Sequence, residues 1–593
     1  MRTQRLLRGA LAAAALTATL LPAVPARALA VVNEVYHVPT VGGAVIRVEV
    51  RRDTAAPPGP VLLTYSPYNS LGEANASTAA DGVATRYIPK GYVRAVADVI
   101  GTRGSTGCWD YGGAYEQQSG VDVVKFLARQ PWSNGNVGML GTSYDGTTAN
   151  MVAATGIPEL KAIVPAAAIS HWYGYAFYDG VRYFGNSRTA TDEGFDTPLA
   201  FDFGFGLTVT PDEPDPLVQL MSKAEDCDRH WLGHTSEGYS RTPDYGRFWK
   251  ERDYRKDADK FRAAVMLVHG WQDYNVKQDE GLSLYEAIPV DDPETEEVVE
   301  GVPQKLLVMS QGTHGGVPAA FTALQDRFFD HYLKGVDNGV ENETAVQTLG
   351  RTSAGAKATY TPEAAWPPPG TTNTNLYLGR SFDTVPGVPS VGPVGTTGEN
   401  GWLATTPQDT GGGWAHANPG TVSEELTLRD PANREMARPN GQIVRGHGYY
   451  SLYHESPPLA ADVRIAGRAV LDTWVNAATP SQHLTPILVE VLPNGTLNLV
   501  ERGFLNTDYR DGLAKAKPAS GWMHARVTFL PQDYTFTKDS RIGLILQGSN
   551  TVWAVPGNPG MLSYAMGPVS GVTQTGAHLQ LPLVNPPAQL FAS

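Results

Sequence analysis

The chain has little cysteine, little positive charge and, past its first thirty residues, no long apolar run. Each shortage excludes a class of protein. Two cysteines in 593 residues rule out a disulfide-dense secreted scaffold and a cysteine-rich zinc module. They leave room for one bond, Cys108 to Cys227, which is the expectation for an exported chain. Lys and Arg number 46 against 60 Asp and Glu, a net charge of −14, so the basic surface that nucleic acid demands is missing. No later segment supplies the roughly twenty apolar residues of a membrane-spanning helix, and no stable membrane association is expected. H-E-x-x-H, P-loop and G-x-G-x-x-G patterns are lacking too, which predicts neither a metal nor a cofactor. Nothing in the sequence speaks to oligomeric state.

What is present begins with a leader. Arg2, Arg5 and Arg8 precede the apolar "LAAAALTATLL", and Ala28-Leu29-Ala30 follows as a small-x-small site. That order predicts a secretory signal peptide over residues 1–30, cleaved near Ala30, and a secreted, extracellular product. The remaining length exceeds one hydrophobic core. Over residues 31–355 buried-strand runs ("GPVLLTYSPYNS", "NVGMLG", "LKAIVPAAA", "AAVMLVHG", "QKLLVMSQG") alternate with amphipathic helices such as "SGVDVVKFLARQPW". This alternation predicts an α/β fold with a parallel sheet. About residues 171–260 it fails, in a Tyr-, Trp-, Phe- and Asp-rich stretch that reads as an inserted helical cap. After "AWPPPGTTNTN" short alternating runs dominate, so residues 356–593 are expected to form a C-terminal all-β, jelly-roll sandwich.

Chemistry is concentrated at strand ends. "GNVGMLGTSYDGTTAN" reads as strand, turn and helix with Ser143 at the turn, but its second glycine, Gly146, comes one place later than in G-x-S-x-G. Serine needs a base and oxyanion donors to act as a nucleophile. "AAVMLVHGWQDYNV" carries a strand into a loop with Asp273, and "QKLLVMSQGTHGG" carries the next strand into a loop with His314. Ser, Asp and His therefore follow three strands in the order of a hydrolase triad, on the edge where open α/β sheets bind ligands. His269 is the alternative base, placed inside its strand's end.

These residues, with "GTRGSTGCWDYGGAYEQQS", "HGWQDYNVK" and "QGTHGG", resemble the X-prolyl dipeptidyl aminopeptidases, a serine peptidase family that also includes cocaine-esterase-like hydrolases. The family's elbow has the form G-x-S-Y-x-G, which accounts for the late glycine. The resemblance implies an α/β-hydrolase catalytic domain with Ser143 as nucleophile, His314 as base and Asp273 as its orienting partner. It also implies an oxyanion hole made by the Tyr68 hydroxyl and the Tyr144 N–H. "SHWYGY" is similar to the family's S-W-Y-x-Y, so Trp172 and Tyr175, with Val276, would wall a pocket for a proline ring. Aromatic faces suit that flat apolar ring. Counting two residues from a free N-terminus needs an anion for the ammonium. Asp192 and Glu193 are the candidates, in a stretch that departs from the family pattern.

The expectation is a secreted serine exopeptidase that takes peptides with proline at the second position and releases Xaa-Pro dipeptides. The alternative is an ester or amide hydrolase with the same triad and a different acyl pocket. A secreted binding protein with a vestigial triad is the third possibility, and the intact set of Ser143, Asp273, His314 and Tyr68 counts against it.

Overall fold

The computed structural model describes residues 29–68, 81–183, 202–208, 216–238, 243–273, 275–289, 304–380, 401–407, 414–417, 451–548, 550, 553–555, 557, 558, 560, 562–565 and 576–592. The leader up to residue 28, and Asp192 and Glu193, lie outside the described residues.

The N-terminal half is built on one sheet. Its strands are β1 (Val31–Pro39), β2 (Val45–Asp53), β3 (Gly59–Ser66), β4 (Val93–Asp98), β5 (Ser133–Thr142) and β6 (Leu160–Ala166). An insertion follows, holding the small hairpin β7 (Phe177–Tyr178) and β8 (Val181–Arg182). The sheet resumes with β9 (Ala264–Gly270), β10 (Lys305–Ser310) and β11 (Val346–Thr348). β1 and β2 pair antiparallel, β2 runs antiparallel to β4, and from β4 the order β4-β3-β5-β6-β9-β10-β11 is parallel throughout. Central parallel strands are covered on both faces, so they need continuous apolar runs rather than alternation. All eight residues of β3 and all seven of β9 are buried. Successive side chains then serve different cores. Helix α1 (Gly82–Tyr87) precedes β4, and Leu63, Met139, Ile163 and Leu267 pack with the helices α2 (Ala114–Ala128) and α3 (Tyr144–Ala153) on one face. Leu62, Leu140, Val164 and Val268 pack with Phe328, Phe329 and Leu333 of the helix Thr322–Lys334 on the other.

The insertion is a cap. It contains α4 (Trp172–Ala176), the helix Pro216–Gly238 and the helix Arg247–Glu251. A disulfide between Cys108 and Cys227, with Cα atoms 5.6 Å apart, ties the longest cap helix to the loop after β4.

The C-terminal half is a largely antiparallel sheet of 15 described strands around its own apolar core. Val470–Ala477 pairs with Gly521–Thr528 over eight residues, and Ile487–Val491 with Arg541–Gln547 over five. The passage between halves is less clean than a boundary between 355 and 356. β12 (Arg351–Thr352) and β13 (Gly355–Ala356) already belong to the C-terminal sheet, and β14 (Thr361–Glu363) then returns to pair with β11. Polar contacts close the interface. Arg464 bridges Glu363 and Asp533, Arg468 bridges Asp279 and Glu286, and Gln278 donates to Glu501 at 2.9 Å. The architecture is an α/β hydrolase with an inserted helical cap and a β-rich C-terminal domain.

Candidate active site

β5 ends at Thr142, and Ser143 takes φ 64° and ψ −126° before α3 begins at Tyr144. A positive φ costs a residue with a Cβ of order 1–3 kcal/mol, so neighbouring bonds must hold it. They do: Ser143 N–H donates to Ala166 O at 2.9 Å, and Ser143 O accepts from the Gly146 and Thr147 N–H groups. The two glycines have separate steric roles. A Cβ on Gly141 would stand 2.3 Å from Asp145 Cβ, and one on Gly146 would stand 2.9 Å from both Ala168 Cβ and Gly141 O. Gly146 is late in the motif because it is the point where α3 meets the ends of β5 and β6.

Asp273 follows β9 and is fully buried. Its Oδ1 accepts from the N–H groups of Asn275 and Val276 at 3.1 and 3.0 Å, and its Oδ2 accepts from His314 Nδ1 at 2.8 Å. Burial pushes the Asp273 carboxyl up, but the neighbouring His269 imidazole and the hydrogen bond from His314 outweigh it and hold the group below its ordinary range. For His314 burial pulls down, and the Asp273 bond and charge prevail, so its pKa is raised. His269 is buried and turns Nε2 to Val276 O at 2.8 Å, which makes it a packed strand-end residue and not an available base. The loop bearing His314 abuts the elbow: a Cβ on Gly316 would lie 3.0 Å from Thr142 Oγ1.

Tyr68 completes the constellation. Its hydroxyl donates to Ser143 Oγ at 3.2 Å and accepts from Tyr144 N–H at 3.3 Å. Among the described residues the hydrogen bond to Ser143 Oγ comes from Tyr68 and not from His314. Burial raises the Tyr68 pKa, so the phenol stays protonated and remains a donor. Ser143, Tyr68 and His314 keep partial exposure while Asp273 has none. The serine, tyrosine and histidine are thus reachable from solvent and the Asp273 carboxylate is not.

The aromatic residues meet behind this edge. Trp172 packs edge-on against Tyr144 at 5.4 Å and Tyr175 at 5.9 Å, and its Nε1 donates to Tyr254 Oη at 2.9 Å. Trp172, Tyr175 and Val276 are all buried, and Tyr175 Oη donates to Asn275 Oδ1 at 3.3 Å. Lys277 fixes the end of α4 by donating to Gly174 O and Tyr175 O, both at 2.8 Å. Two contributors carried no sequence signal. Phe205, from the cap, packs against Tyr68 at 5.7 Å and Tyr144 at 5.5 Å. Glu116 on α2 is fully buried, accepts from Tyr144 Oη at 2.8 Å, and burial pushes its carboxyl up to about 8. It anchors the ring of the residue whose N–H points at Tyr68. Away from this edge, Asp110, His230 and His234 gather donor atoms suited to a metal ion.

Such an arrangement can activate a hydroxyl and hold a developing oxyanion. Comparison with known proteins agrees with the fold. Residues 42–316 match the family model for X-Pro dipeptidyl-peptidase (S15 family), and residues 338–568 match that for the X-Pro dipeptidyl-peptidase C-terminal non-catalytic domain. A Streptomyces avermitilis protein is 30% identical over 80% of this chain and 66% of its own length. The Xaa-Pro dipeptidyl-peptidase of Lacticaseibacillus casei is 30% identical over 49% of this chain and 37% of its own length. A solved CocE/NonD family hydrolase from Staphylococcus aureus superposes with TM-score 0.67 at 16% identity, covering 93% of this chain and 94% of that one.

Proposed function

The chain belongs to the X-Pro dipeptidyl-peptidase S15 family, and we propose that it is a serine exopeptidase releasing Xaa-Pro dipeptides from peptide N-termini. Ser143 Oγ attacks the prolyl carbonyl while His314, oriented by Asp273, takes its proton. Tyr68 Oη–H and Tyr144 N–H hold the oxyanion. His314 then protonates the leaving amine, and water hydrolyses the acyl-enzyme by the same path in reverse. Trp172, Tyr175 and Val276 back the pocket for the proline ring, with Phe205 covering it from the cap. The observation that carries this reading is the Tyr68 hydroxyl, bonded at once to Ser143 Oγ and to Tyr144 N–H. It supports the reading because one proposed donor contacts the proposed nucleophile and the other contacts the first. We also propose export, from the leader and in keeping with the Cys108–Cys227 disulfide.

Ala-Pro-, Ala-Ala- and acyl-blocked Ala-Pro-arylamides, assayed beside a simple aryl ester, test the proposal. Cleavage of free Ala-Pro alone supports it. Equal cleavage of free and blocked forms would refute recognition of the free N-terminus. Turnover of the ester alone would replace the peptidase reading with the esterase one.

A further inference from the structure

The longest cap helix, Pro216–Gly238, places His230 and His234 one turn apart on one face. Both imidazoles reach the loop after β4, where Asp110 is buried. His230 Nε2 lies 3.2 Å from Asp110 Oδ1 and His234 Nε2 lies 3.4 Å from the same atom. The three donor atoms all fall within 4.8 Å of one another, and the two rings are 4.3 Å apart.

These separations are long for imidazolium–carboxylate bonds, which close to about 2.7–2.9 Å. They match another geometry. A tetrahedral ion with ligands at about 2.0–2.1 Å spaces neighbouring donors by about 3.3 Å. His230 Nε2 is also buried without a hydrogen bond, although it faces the carboxylate. Two imidazoles and one carboxylate form a donor set suited to a first-row divalent ion, zinc foremost.

Arg252 is the obvious objection, because its Nη2 stands 3.3 Å from Asp110 Oδ1. Its guanidinium, however, is fixed by other acceptors: Asp110 O and Tyr111 O at 2.9 Å each, and Phe248 O at 3.1 Å. Glu251 Oε1 lies 3.9 Å from its Nη1. Asp110 Oδ2 accepts from Tyr115 N–H at 2.8 Å, so Oδ1 is the oxygen that faces both imidazoles as well as Arg252.

We propose that Asp110, His230 and His234 supply three ligands of a zinc site, with water in the fourth position, that clasps the cap helix to the catalytic domain. It works beside the Cys108–Cys227 bond, one turn away on the same helix. Asp110 leads into Tyr111, whose ring packs on Trp172 at 4.6 Å. The clasp thus supports the aromatic layer behind the pocket. "HWLGH" lacks the glutamate of H-E-x-x-H, so the motif itself brings no base to activate a metal-bound water, and the proposal is for an ion that holds the helix in place.

Titration calorimetry of the chelator-treated full chain with zinc chloride at pH 7.5 tests this. One equivalent should bind, and His230→Gln should weaken binding by at least ~100-fold while the metal-free Tm stays that of metal-free wild type. His230 is partly exposed, which favours a folded variant. Zinc K-edge absorption on the wild type gives an independent readout, with scattering from two imidazoles expected. Absence of zinc binding, undiminished binding in His230→Gln, or an absorption spectrum without imidazole scattering would each overturn the proposal.

Discussion

Replacing Tyr68 by phenylalanine removes one oxygen atom from the proposed site and little else. The ring would keep its edge contacts with Tyr144 at 6.3 Å and Phe205 at 5.7 Å, so the loop should stay in place. What disappears is a hydroxyl that bonds Ser143 Oγ at 3.2 Å and accepts from Tyr144 N–H at 3.3 Å. Of two proposed oxyanion donors one remains, the Tyr144 N–H. Loss of a single donor of this kind lowers kcat by ~10²–10³, or about 2.7–4 kcal/mol of transition-state stabilisation. The donor acts on charge that develops only in the transition state, so kcat should fall while KM changes little. Burial raises the phenol's pKa, hence wild type should show no alkaline loss of activity from this group near neutrality. Steady-state kinetics on Ala-Pro-p-nitroanilide from pH 6 to 9 measures all of this. A Tyr68→Phe enzyme within about threefold of wild-type kcat would refute the role given to the hydroxyl.

Five further outcomes are expected. Ser143→Ala should lose roughly 10⁶-fold in kcat with an unchanged Tm, since the residue is the proposed nucleophile. His314 must be neutral to act as base and its pKa is raised, so kcat/KM should fall with decreasing pH through a midpoint above 6.5. Asp273→Asn removes the partner responsible, and should move that midpoint down while costing ~10⁴ in kcat. Gly146→Ala forces a methyl to 2.9 Å from Ala168 Cβ and Gly141 O, and should destabilise the fold by about 1–3 kcal/mol, read as a shift in denaturant midpoint. Cys108→Ser with Cys227→Ser opens a bond spanning 119 residues and should cost about 2–4 kcal/mol in the same assay.

Strand ends were legible because their signals are local. "NVGMLG", "AAVMLVHG" and "QKLLVMSQG" are apolar runs that stop at turn residues, and Ser143, Asp273 and His314 follow those stops directly. Phe205 was not legible, because its partners Tyr68 and Tyr144 are distant in sequence and no periodicity points from one to the other. Glu116 sits on α2 among Gln and Ser, where nothing local marks it as buried. The spacing of His230 and His234 stands open in "HWLGH", but their third partner, Asp110, is more than a hundred residues upstream. The crossing between halves at 351–363 depends on strands of two or three residues, too short to carry a hydrophobic pattern. Trp172 and Tyr175 are apolar and aromatic as a pocket wall requires, and sequence alone could not show that Trp172 Nε1 is bonded to Tyr254.

A dipeptide phosphonate tests the central claim most directly, because it reports the nucleophile and the recognition of the substrate together. Wild-type protein incubated with an Ala-Pro diphenyl phosphonate, then digested and mapped by mass spectrometry, should carry one adduct per chain on Ser143. The N-acylated analogue should label at least ~100-fold more slowly. An adduct on another residue, or equal labelling by free and acylated reagents, would contradict the account.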